Sequence, residues 1–338
     1  MTTSAKSTFH PSHSHGHRSH RRWSRWGQVF VWLVAIFAVA VVANLARQVD
    51  WRAVARATRE IPSGTLLLAL GFVVVGYLLY GSFDLLARRY VGQRLPASRV
   101  LGIAVISYAL NLNLGVLIGG LAVRLRLYGA LGLRRSAILR LTGFSVTTNW
   151  MGYCWIAGVV LASGVTPVPP EWHIGNLAVR ATGVAMLLAG AGYVLLCVRS
   201  RRRHWTVRGH RISLPTGRMA VAQCAVSVLS WATMGAIIYV LLLERAPYLA
   251  ALGVLLCTAL ATVIVRVPGG LGTNEAIFVA ALSGFAPSAQ VLGAALVYRA
   301  MYALLPMVLC GLAYLWLEAR RGLGSDQRSR APSRGDVR

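Results

Sequence analysis

The sequence predicts an all-α, polytopic transmembrane bundle, and three observations support that prediction. The 338 residues are 56% hydrophobic and only 13% charged, and the mean hydropathy is +0.59. Runs of about 20 apolar residues, the length that crosses a hydrocarbon core as a helix, recur along the chain. Short arginine-rich loops separate these runs. We expect about eight full spans and two short half-helix hairpins.

Three segments follow from this pattern. Residues 1–26 and 318–338 are polar, arginine-rich tails that we expect to be disordered, and residues 27–317 form the membrane domain. The predicted long apolar runs are Gly27–Leu45, Gly64–Phe83, Val100–Leu117, Ser136–Leu161, Gly175–Val198, Met219–Leu243, Leu249–Val265 and Ala289–Leu317. A surface-lying amphipathic stretch, Gln48–Ile61, follows the first run.

The first tail contains five histidines among serines. They are His10, His13, His15, His17 and His20. Such tracts can bind metal, but no carboxylate or cysteine accompanies these histidines, so a disordered tail is the favoured interpretation. The five cysteines lie inside apolar runs without CxxC spacing, which indicates packing residues rather than disulfides or metal ligands.

The charge is strongly positive, at +26, and almost all of it comes from arginine, since Lys6 is the one lysine. Because the arginines lie in short loops between apolar runs, the positive-inside rule explains them better than nucleic-acid binding. Arg199–Arg218 and both tails should then be cytoplasmic. The loop Ala162–Gly175, which has no lysine or arginine, should be external.

This orientation predicts a hairpin at the third apolar run. A single span at Val100–Leu117 would place Arg124 and Arg126 outside, against the rule. The conflict disappears if Val100–Leu117 enters the membrane and Arg124–Leu133 returns as a half-helix. Ten helical residues rise only about 15 Å, half of a hydrocarbon core.

A short internal repeat supports the same arrangement. Gly119-Gly-Leu-Ala122 and Gly269-Gly-Leu-Gly272 each follow an apolar run and precede a short helix. The first run should enter from the inside and the second from the outside, which makes an inverted repeat, a plan found in transporters. Chance similarity of Gly-Gly-Leu is the alternative.

The polar segment Arg266–Glu275 is the most informative stretch of the chain. Non-helical backbone cannot face lipid, and charge at such depth indicates function, so this segment should be buried or line a wet cavity. Helix N-termini and guanidinium groups both bind phosphate. The predicted lipid head-group site therefore comprises Arg124, Arg126, Arg266, Gly119, Gly120, Gly269, Gly270, Gly272, Asn274 and Glu275. Alternatively, Arg124 and Arg126 are ordinary loop charges and the glycines only permit tight helix contact.

Glu275 can act in several ways at this site. It can compensate the helix dipole, pair with Arg266 or Arg299, carry a proton or contact a head-group amine. Other polar residues at membrane depth are expected to support the site: Asp84, Asn111, Asn113, Tyr128, Tyr298, Arg299 and Tyr302. For Asp84 an interfacial anchor is an equally good interpretation.

Several motifs carry a family resemblance. They are Asn111-Leu-Asn-Leu-Gly115, Gly119-Gly120, Arg124-Leu-Arg126-Leu-Tyr128 and Val267-Pro-Gly-Gly-Leu-Gly-Thr-Asn-Glu275, followed by Tyr298-Arg299, Tyr302 and Pro306. From about Asp84 to Trp316 the chain resembles the lysylphosphatidylglycerol synthase transmembrane-region family, and within it the YbhN-like bacterial inner-membrane proteins. In two-part relatives this region is a flippase for aminoacylated phosphatidylglycerol, and a separate C-terminal domain makes that lipid. The resemblance implies a lipid-handling membrane protein, here without an aminoacyltransferase.

The sequence thus predicts a multi-pass protein of the bacterial inner membrane that translocates or transports phospholipid. Expected partners are phospholipid and the membrane, with a second copy or an envelope protein as further candidates and no nucleic acid. No HExxH, GxSxG or phosphate-cradling motif and no nucleophile–base set is visible, so we expect no enzymatic activity, cofactor or metal. Two alternatives stay open: a membrane scaffold that recruits an envelope partner, and an intramembrane enzyme acting on a lipid-linked substrate.

Overall fold

The computed structural model describes residues 51–165, 175–200, 204–207, 210–265 and 273–330. The predicted first span, Gly27–Leu45, the histidine tail and the loop 266–272 lie outside these residues. The described elements are α1 (Trp51–Glu60), α2 (Ser63–Val91), α3 (Ala97–Gly115), π1 (Val116–Ala122), α4 (Val123–Gly129), α5 (Arg135–Ser163), α6 (Asn176–Arg199), β1 (His204–Val207), β2 (His210–Ser213), α7 (Gly217–Leu241), α8 (Tyr248–Val265), α9 (Thr273–Leu282), α10 (Ser288–Arg299), π2 (Ala300–Leu304) and α11 (Leu305–Arg330).

The chain is a helical membrane protein, but fewer helices than predicted are long and apolar enough to cross a bilayer. Five stretches of the described residues have that length and composition: Ser63–Val91, Ala97–Gly129, Asn176–Arg199, Gly217–Leu241 and Ser288–Ala319. Of these, Ala97–Gly129 folds back on itself, as described below. The predicted count of about eight spans is not confirmed. α5 has 29 residues, but its middle is polar, with Thr142, Ser145, Thr148 and Asn149. The last helix runs to Arg330, beyond the predicted end of the membrane domain at residue 317.

The described chain is helical, as predicted, apart from its loops and one short pair of β-strands. β1 and β2 pair antiparallel, with Thr206 opposite Arg211 and Val207 opposite His210. They lie in the predicted basic loop Arg199–Arg218, where β-branched residues favour a strand over a helix. Prolines mark the start of three helices. α2, α3 and α10 each begin directly after a proline, which favours the first turn of a helix and cannot continue a preceding one.

The segment Ala97–Gly129 folds back on itself as hairpin 1, which consists of α3, π1 and α4. Gly115 has φ +82° and ψ 168°, a conformation that favours glycine, and it reverses the chain. The two arms then run antiparallel, since the Tyr128 hydroxyl lies 3.4 Å from the Val100 carbonyl oxygen. Near the tip, an ideal Cβ on Gly119 would lie 2.3 Å from the Asn111 nitrogen. Glycine at position 119 therefore allows the arms to touch.

Hairpin 1 differs from the prediction in where it turns. The sequence places the loop at Gly119–Gly120 and the returning half-helix at Arg124–Leu133, whereas the chain turns at Gly115 and is helical from Val116 onward. The reason is that Gly119 and Gly120 are packing glycines, and Gly115 is the residue with positive φ. This agrees with the alternative that these two glycines permit tight helix contact.

α8 and α9 form a second hairpin, hairpin 2. The Thr262 hydroxyl, near the end of α8, lies 3.2 Å from Oδ1 of Asn274, in the first turn of α9. Farther from the tip, Phe278 of α9 packs in one buried cluster with Leu255 and Leu256 of α8. α9 has 10 residues and rises about 15 Å, so it is a half-helix like the returning arm of hairpin 1.

The two hairpins enter the bundle from opposite ends of α2. Hairpin 1 follows the Val91 end, where the Tyr90 hydroxyl donates to the Ser213 carbonyl. Hairpin 2 follows α7, whose last residue, Leu241, lies beside Ile61 at the Ser63 end of α2. The hairpin tips therefore point toward each other inside the bundle.

Candidate functional site

A cavity of about 710 Å³ lies between the two hairpin tips. Gly115, Val116 and Leu117 line it from hairpin 1, and Thr262, Val263, Asn274 and Glu275 line it from hairpin 2. The remaining wall comes from α2, α5, α7, α10 and π2, with Tyr80, Asn149, Trp231, Tyr298, Arg299 and Tyr302. The cavity is therefore built where five other elements surround the tips of the two hairpins.

The cavity lies at the middle of the bundle. α2 has 29 residues and so is about 43 Å long. Tyr77, at the middle of α2, donates a 2.9 Å hydrogen bond to the backbone carbonyl of Tyr302, a cavity residue. A hydrocarbon core is about 30 Å thick, so a site at the middle of such a helix falls inside it. Polar groups in this cavity are therefore held at a depth where water is scarce.

An ion pair forms part of the cavity wall. Nη1 of Arg299, at the end of α10, donates to Oε1 of Glu275, in the first turn of α9. The two side chains are 9% and 12% exposed, respectively. Oε2 of Glu275 is buried and accepts no hydrogen bond from the described part of the chain. The pair thus holds hairpin 2 to α10 while one carboxylate oxygen keeps its accepting capacity.

Asn111 adds a second unsatisfied acceptor to the wall. Its Oδ1 is buried next to Gly120, where an ideal Cβ would lie at 3.2 Å, and no described group donates to it. A buried acceptor without a donor costs about 1–3 kcal/mol. Two such acceptors on residues that line one cavity indicate a place where a ligand with N–H or O–H groups would gain hydrogen bonds.

Aromatic rings form another part of the wall. Tyr80 stacks on Tyr108 with ring centroids 3.5 Å apart, and Tyr298 stacks on Tyr302 at 5.4 Å. The Tyr108 and Tyr302 hydroxyls lie 2.9 Å apart and share a hydrogen bond. Because these rings are mutually supported, they give the cavity a rigid wall that has apolar faces and hydroxyl edges.

The rim of the cavity is apolar and exposed. Leu117 and Val116, at the tip of hairpin 1, are 76% and 60% exposed, and Val263 of hairpin 2 is 53% exposed. All three also line the cavity. These exposed side chains give the cavity an apolar edge beside its polar wall.

A second buried ion pair holds hairpin 1 and lies outside the cavity lining. Nε and Nη2 of Arg124 donate to Oδ2 and Oδ1 of Asp84, at 3.1 and 3.2 Å. Asp84 also accepts from the hydroxyls of Tyr128, at 2.9 Å, and Ser145, at 2.6 Å. Nη1 of Arg124 donates to the Gly120 carbonyl at 3.0 Å. Neither charged side chain is more than 3% exposed.

Arg126 is also paired with a carboxylate. Its Nη2 lies 2.8 Å from Oε2 of Glu318 on α11, and its side chain is 35% exposed. Neither Arg124 nor Arg126 contributes to the described cavity wall. The structure therefore places these two arginines at the base of hairpin 1 rather than at its tip.

The predicted site residues consequently divide into three groups. Asn111, Asn274, Glu275, Tyr298, Arg299 and Tyr302 line the cavity. Arg124, Arg126, Gly119, Gly120, Asp84, Asn113 and Tyr128 lie in or beside hairpin 1, outside that lining; Asn113, for example, donates to the carbonyls of Ala109 and Ala303. Arg266, Gly269, Gly270 and Gly272 lie outside the described residues.

Sequence reasoning missed several residues of the wall, among them Tyr80, Tyr108, Asn149, Trp231, Thr258 and Thr262. A usable signal existed for the tyrosines, because Tyr77 and Tyr80 lie one helical turn apart in an apolar run, as do Tyr298 and Tyr302. Trp231 and Thr258 carry no such signal, since either type is common in a membrane helix.

Comparison with known proteins shows which family the chain belongs to. Residues 29–310 match the family described as "Lysylphosphatidylglycerol synthase TM region". The chain is 39% identical over 304 residues to "Inner membrane protein YbhN" of Escherichia coli, covering 90% of this chain and 96% of that protein. It is 26% identical over 275 residues to "Uncharacterized protein slr0712" of Synechocystis, covering 80% of this chain and 85% of that protein. The chain therefore belongs to the lysylphosphatidylglycerol synthase transmembrane-region family.

Proposed function

We propose that this protein binds a phospholipid head group in the cavity between the hairpin tips and helps the lipid cross or leave the bilayer. The observation that carries the proposal is the pairing of a polar wall with an apolar, exposed rim at the middle of the bundle. A phospholipid has the same two chemistries in one molecule. Its head group would occupy the polar wall while its acyl chains pass the rim at Leu117 and Val263.

The hairpin tips also suit the phosphate of a lipid. Both returning arms begin at the cavity, at Val116 and Thr273, and the first N–H groups of a helix have no partner within it. Together with the helix dipole they attract anions. Arg299 adds a guanidinium on the same wall.

The two hairpins would act as an inverted repeat. They enter from opposite ends of α2, and the sequence similarity of Gly119–Ala122 and Gly269–Gly272 supports a common origin. Transporters built on such repeats bind substrate between broken helices near the membrane midplane and expose the site alternately to each side. In this proposal the tips are the parts that rearrange.

The Val91 end of α2 is proposed to be cytoplasmic. Four arginines lie there, in the last turn of α2, in the loop after it and in the first turn of α3: Arg88, Arg89, Arg94 and Arg99. Tyr90 also contacts Ser213 within the basic segment 199–218. The ion pair between Arg126 and Glu318 brings α11 to the same end. Clustered arginines in short loops mark the cytoplasmic side, which would put the C-terminus inside. We likewise propose an inner-membrane location, by similarity to the E. coli relative.

A reconstituted translocation assay tests the proposal. Purified protein in liposomes with trace acyl-fluorescent phospholipids should make inner-leaflet lipid accessible to a membrane-impermeant quencher faster than empty liposomes do. Glu275→Gln should reduce the rate at least about tenfold, because it removes a charge from the polar wall. Glu318→Gln, which disturbs an ion pair outside the cavity, is the matched control and should transport normally. Equal rates with wild type, Glu275→Gln and no protein would contradict the proposal.

A further inference from the structure

The ionic composition of the cavity wall indicates which head group it accepts. Glu275 and Arg299 are the two members of the wall, among the described residues, that carry full charges, and they neutralise each other. A ligand with net charge would leave an uncompensated charge in a medium of low dielectric constant, which is strongly unfavourable. A ligand that carries one charge of each sign avoids this cost.

We infer that the cavity selects zwitterionic phospholipids whose cation is a primary ammonium, with phosphatidylethanolamine as the representative head group. This inference rests on the proposed function. The ammonium of the lipid replaces Arg299 as the partner of Glu275. The phosphate of the lipid then pairs with the guanidinium of Arg299. Two ion pairs then stand where the protein had one, and the net charge of the site stays zero.

The unsatisfied acceptors distinguish a primary ammonium from a quaternary one. Oε2 of Glu275 and Oδ1 of Asn111 are buried without donors from the described chain. An –NH₃⁺ group supplies three N–H donors for acceptors of this kind, whereas a choline group supplies none. A hydrogen bond to a charged group contributes about 1.5–3 kcal/mol, which corresponds to roughly a tenfold to hundredfold preference.

The aromatic wall does not reverse this preference. Aromatic cages favour quaternary ammonium groups through cation–π attraction when ring faces surround the cation. Here Tyr80 and Tyr108 stack on each other, as do Tyr298 and Tyr302, so each of these rings turns one face to its neighbour. Trp231 packs edge-to-face with Tyr153, so the wall shows no set of ring faces arranged around one point. The carboxylate therefore remains the strongest group on this wall for a cation.

A competition among three head groups tests the inference. Proteoliposomes would contain trace acyl-fluorescent phosphatidylethanolamine, phosphatidylcholine or phosphatidylglycerol with matched acyl chains, and the translocation rate of each would be measured. We expect phosphatidylethanolamine to move at least about tenfold faster than the other two. Glu275→Gln should abolish this preference, and Glu318→Gln should preserve it. A second readout, native mass spectrometry of lipids retained by the purified protein, should show the same enrichment and the same loss.

Each other outcome is decisive. Equal movement of all three lipids would overturn the head-group inference and leave the proposed function intact. Preferential movement of phosphatidylglycerol would also overturn it, because that result requires a site with net positive charge. Movement of no lipid would overturn the proposed translocation, and the retained lipids would then decide the head-group inference alone: no enrichment of phosphatidylethanolamine, or enrichment unchanged in Glu275→Gln, would overturn it.

Discussion

The two hairpins are built alike, but their ion pairs lie in different surroundings. In each, a half-helix carries a charged residue that pairs with a longer helix: Arg124 of hairpin 1 with Asp84, and Glu275 of hairpin 2 with Arg299. The first pair is sealed, since Asp84 accepts four hydrogen bonds and is fully buried. The second pair lies on the cavity wall, and one of its carboxylate oxygens has no described partner.

This difference separates a charge that holds structure from a charge that can meet a ligand. Burial inside the membrane domain does not distinguish the two ion pairs, because any ionisable residue at that depth is unusual and indicates function. Hydrogen-bond saturation distinguishes them: a carboxylate with all its acceptor sites filled has nothing to offer a substrate. Hairpin 1 is thus positioned by its ion pair, whereas hairpin 2 presents its pair to the cavity.

The largest expected effect is the loss of stability when the sealed pair is broken. Asp84→Asn leaves Arg124 charged and buried without its anion, which should reduce the free energy of unfolding by about 3–5 kcal/mol. Glu275→Gln should cost less than half as much, because Glu275 accepts one side-chain hydrogen bond from the described residues, whereas the fully buried Asp84 accepts four. Thermal denaturation in detergent micelles measures both. Equal losses would mean that the two pairs do not differ in the way described.

Replacing the arginine of each pair by lysine tests the same difference between the two ion pairs. Arg124→Lys keeps the charge but removes the planar group that bonds both Asp84 oxygens and the Gly120 carbonyl together. We expect a loss of about 2–3 kcal/mol, the value of one or more charged hydrogen bonds. Arg299→Lys should cost clearly less, because Oε1 of Glu275 can be reached by a single ammonium.

Of these two lysine variants, the one that loses less stability should lose more transport. Arg299→Lys alters a group on the cavity wall and should lower the translocation rate, whereas folded Arg124→Lys protein should translocate near the wild-type rate. Rates are to be compared per correctly folded molecule, assessed by size-exclusion chromatography. Greater loss of transport in Arg124→Lys would indicate that hairpin 1 contributes its charge directly to the site.

Much of this architecture was accessible from the sequence. Arginine counting predicted that Val100–Leu117 does not span, and the antiparallel contact of Val100 with Tyr128 agrees with this. The pairing of Glu275 with Arg299 was one of the alternatives weighed for Glu275, and the structure contains it. Both inferences depended on periodicity and charge, which are properties of local sequence.

The partners of Arg124 and Arg126 were not accessible in the same way. Asp84 is 40 residues from Arg124, and Glu318 is 192 residues from Arg126. Such pairings depend on how helices are arranged in three dimensions, which spacing along the chain does not encode. The turn at Gly115 was missed for a related reason. Gly115, Gly119 and Gly120 are all glycines at which the chain could turn, and only the packing shows which of them lies against a neighbouring helix.

Hairpin 1 also depends on close backbone contact near its tip, which a methyl group tests. In Gly119→Ala the added Cβ would lie 2.3 Å from backbone atoms of Leu110 and Asn111, so the arms must separate. We expect a loss of about 1–3 kcal/mol, typical of overpacking. Gly102→Ala in the same hairpin is the matched control, since no atom lies within 4 Å of its ideal Cβ.

The control should not lose stability, because alanine is a better helix former than glycine. Thermal denaturation of both variants under identical detergent conditions gives the comparison. Since Gly115, Val116 and Leu117 form the tip and line the cavity, Gly119→Ala should also reduce translocation. Unchanged stability and transport in Gly119→Ala would mean that the arms of hairpin 1 are not in contact at this position.

The smallest expected effect concerns the third ion pair, between Arg126 and Glu318. Arg126 is 35% exposed at the base of hairpin 1, so solvent screens the attraction and the side chain loses entropy when it pairs. Glu318→Gln should therefore reduce the free energy of unfolding by no more than about 1 kcal/mol, and the loss should shrink as salt is raised. Thermal denaturation at low and high ionic strength measures this. If Glu318→Gln instead lost as much free energy of unfolding as Asp84→Asn, the pair of Arg126 and Glu318 would be as important for stability as the pair of Arg124 and Asp84. In that case α11 would help to position hairpin 1.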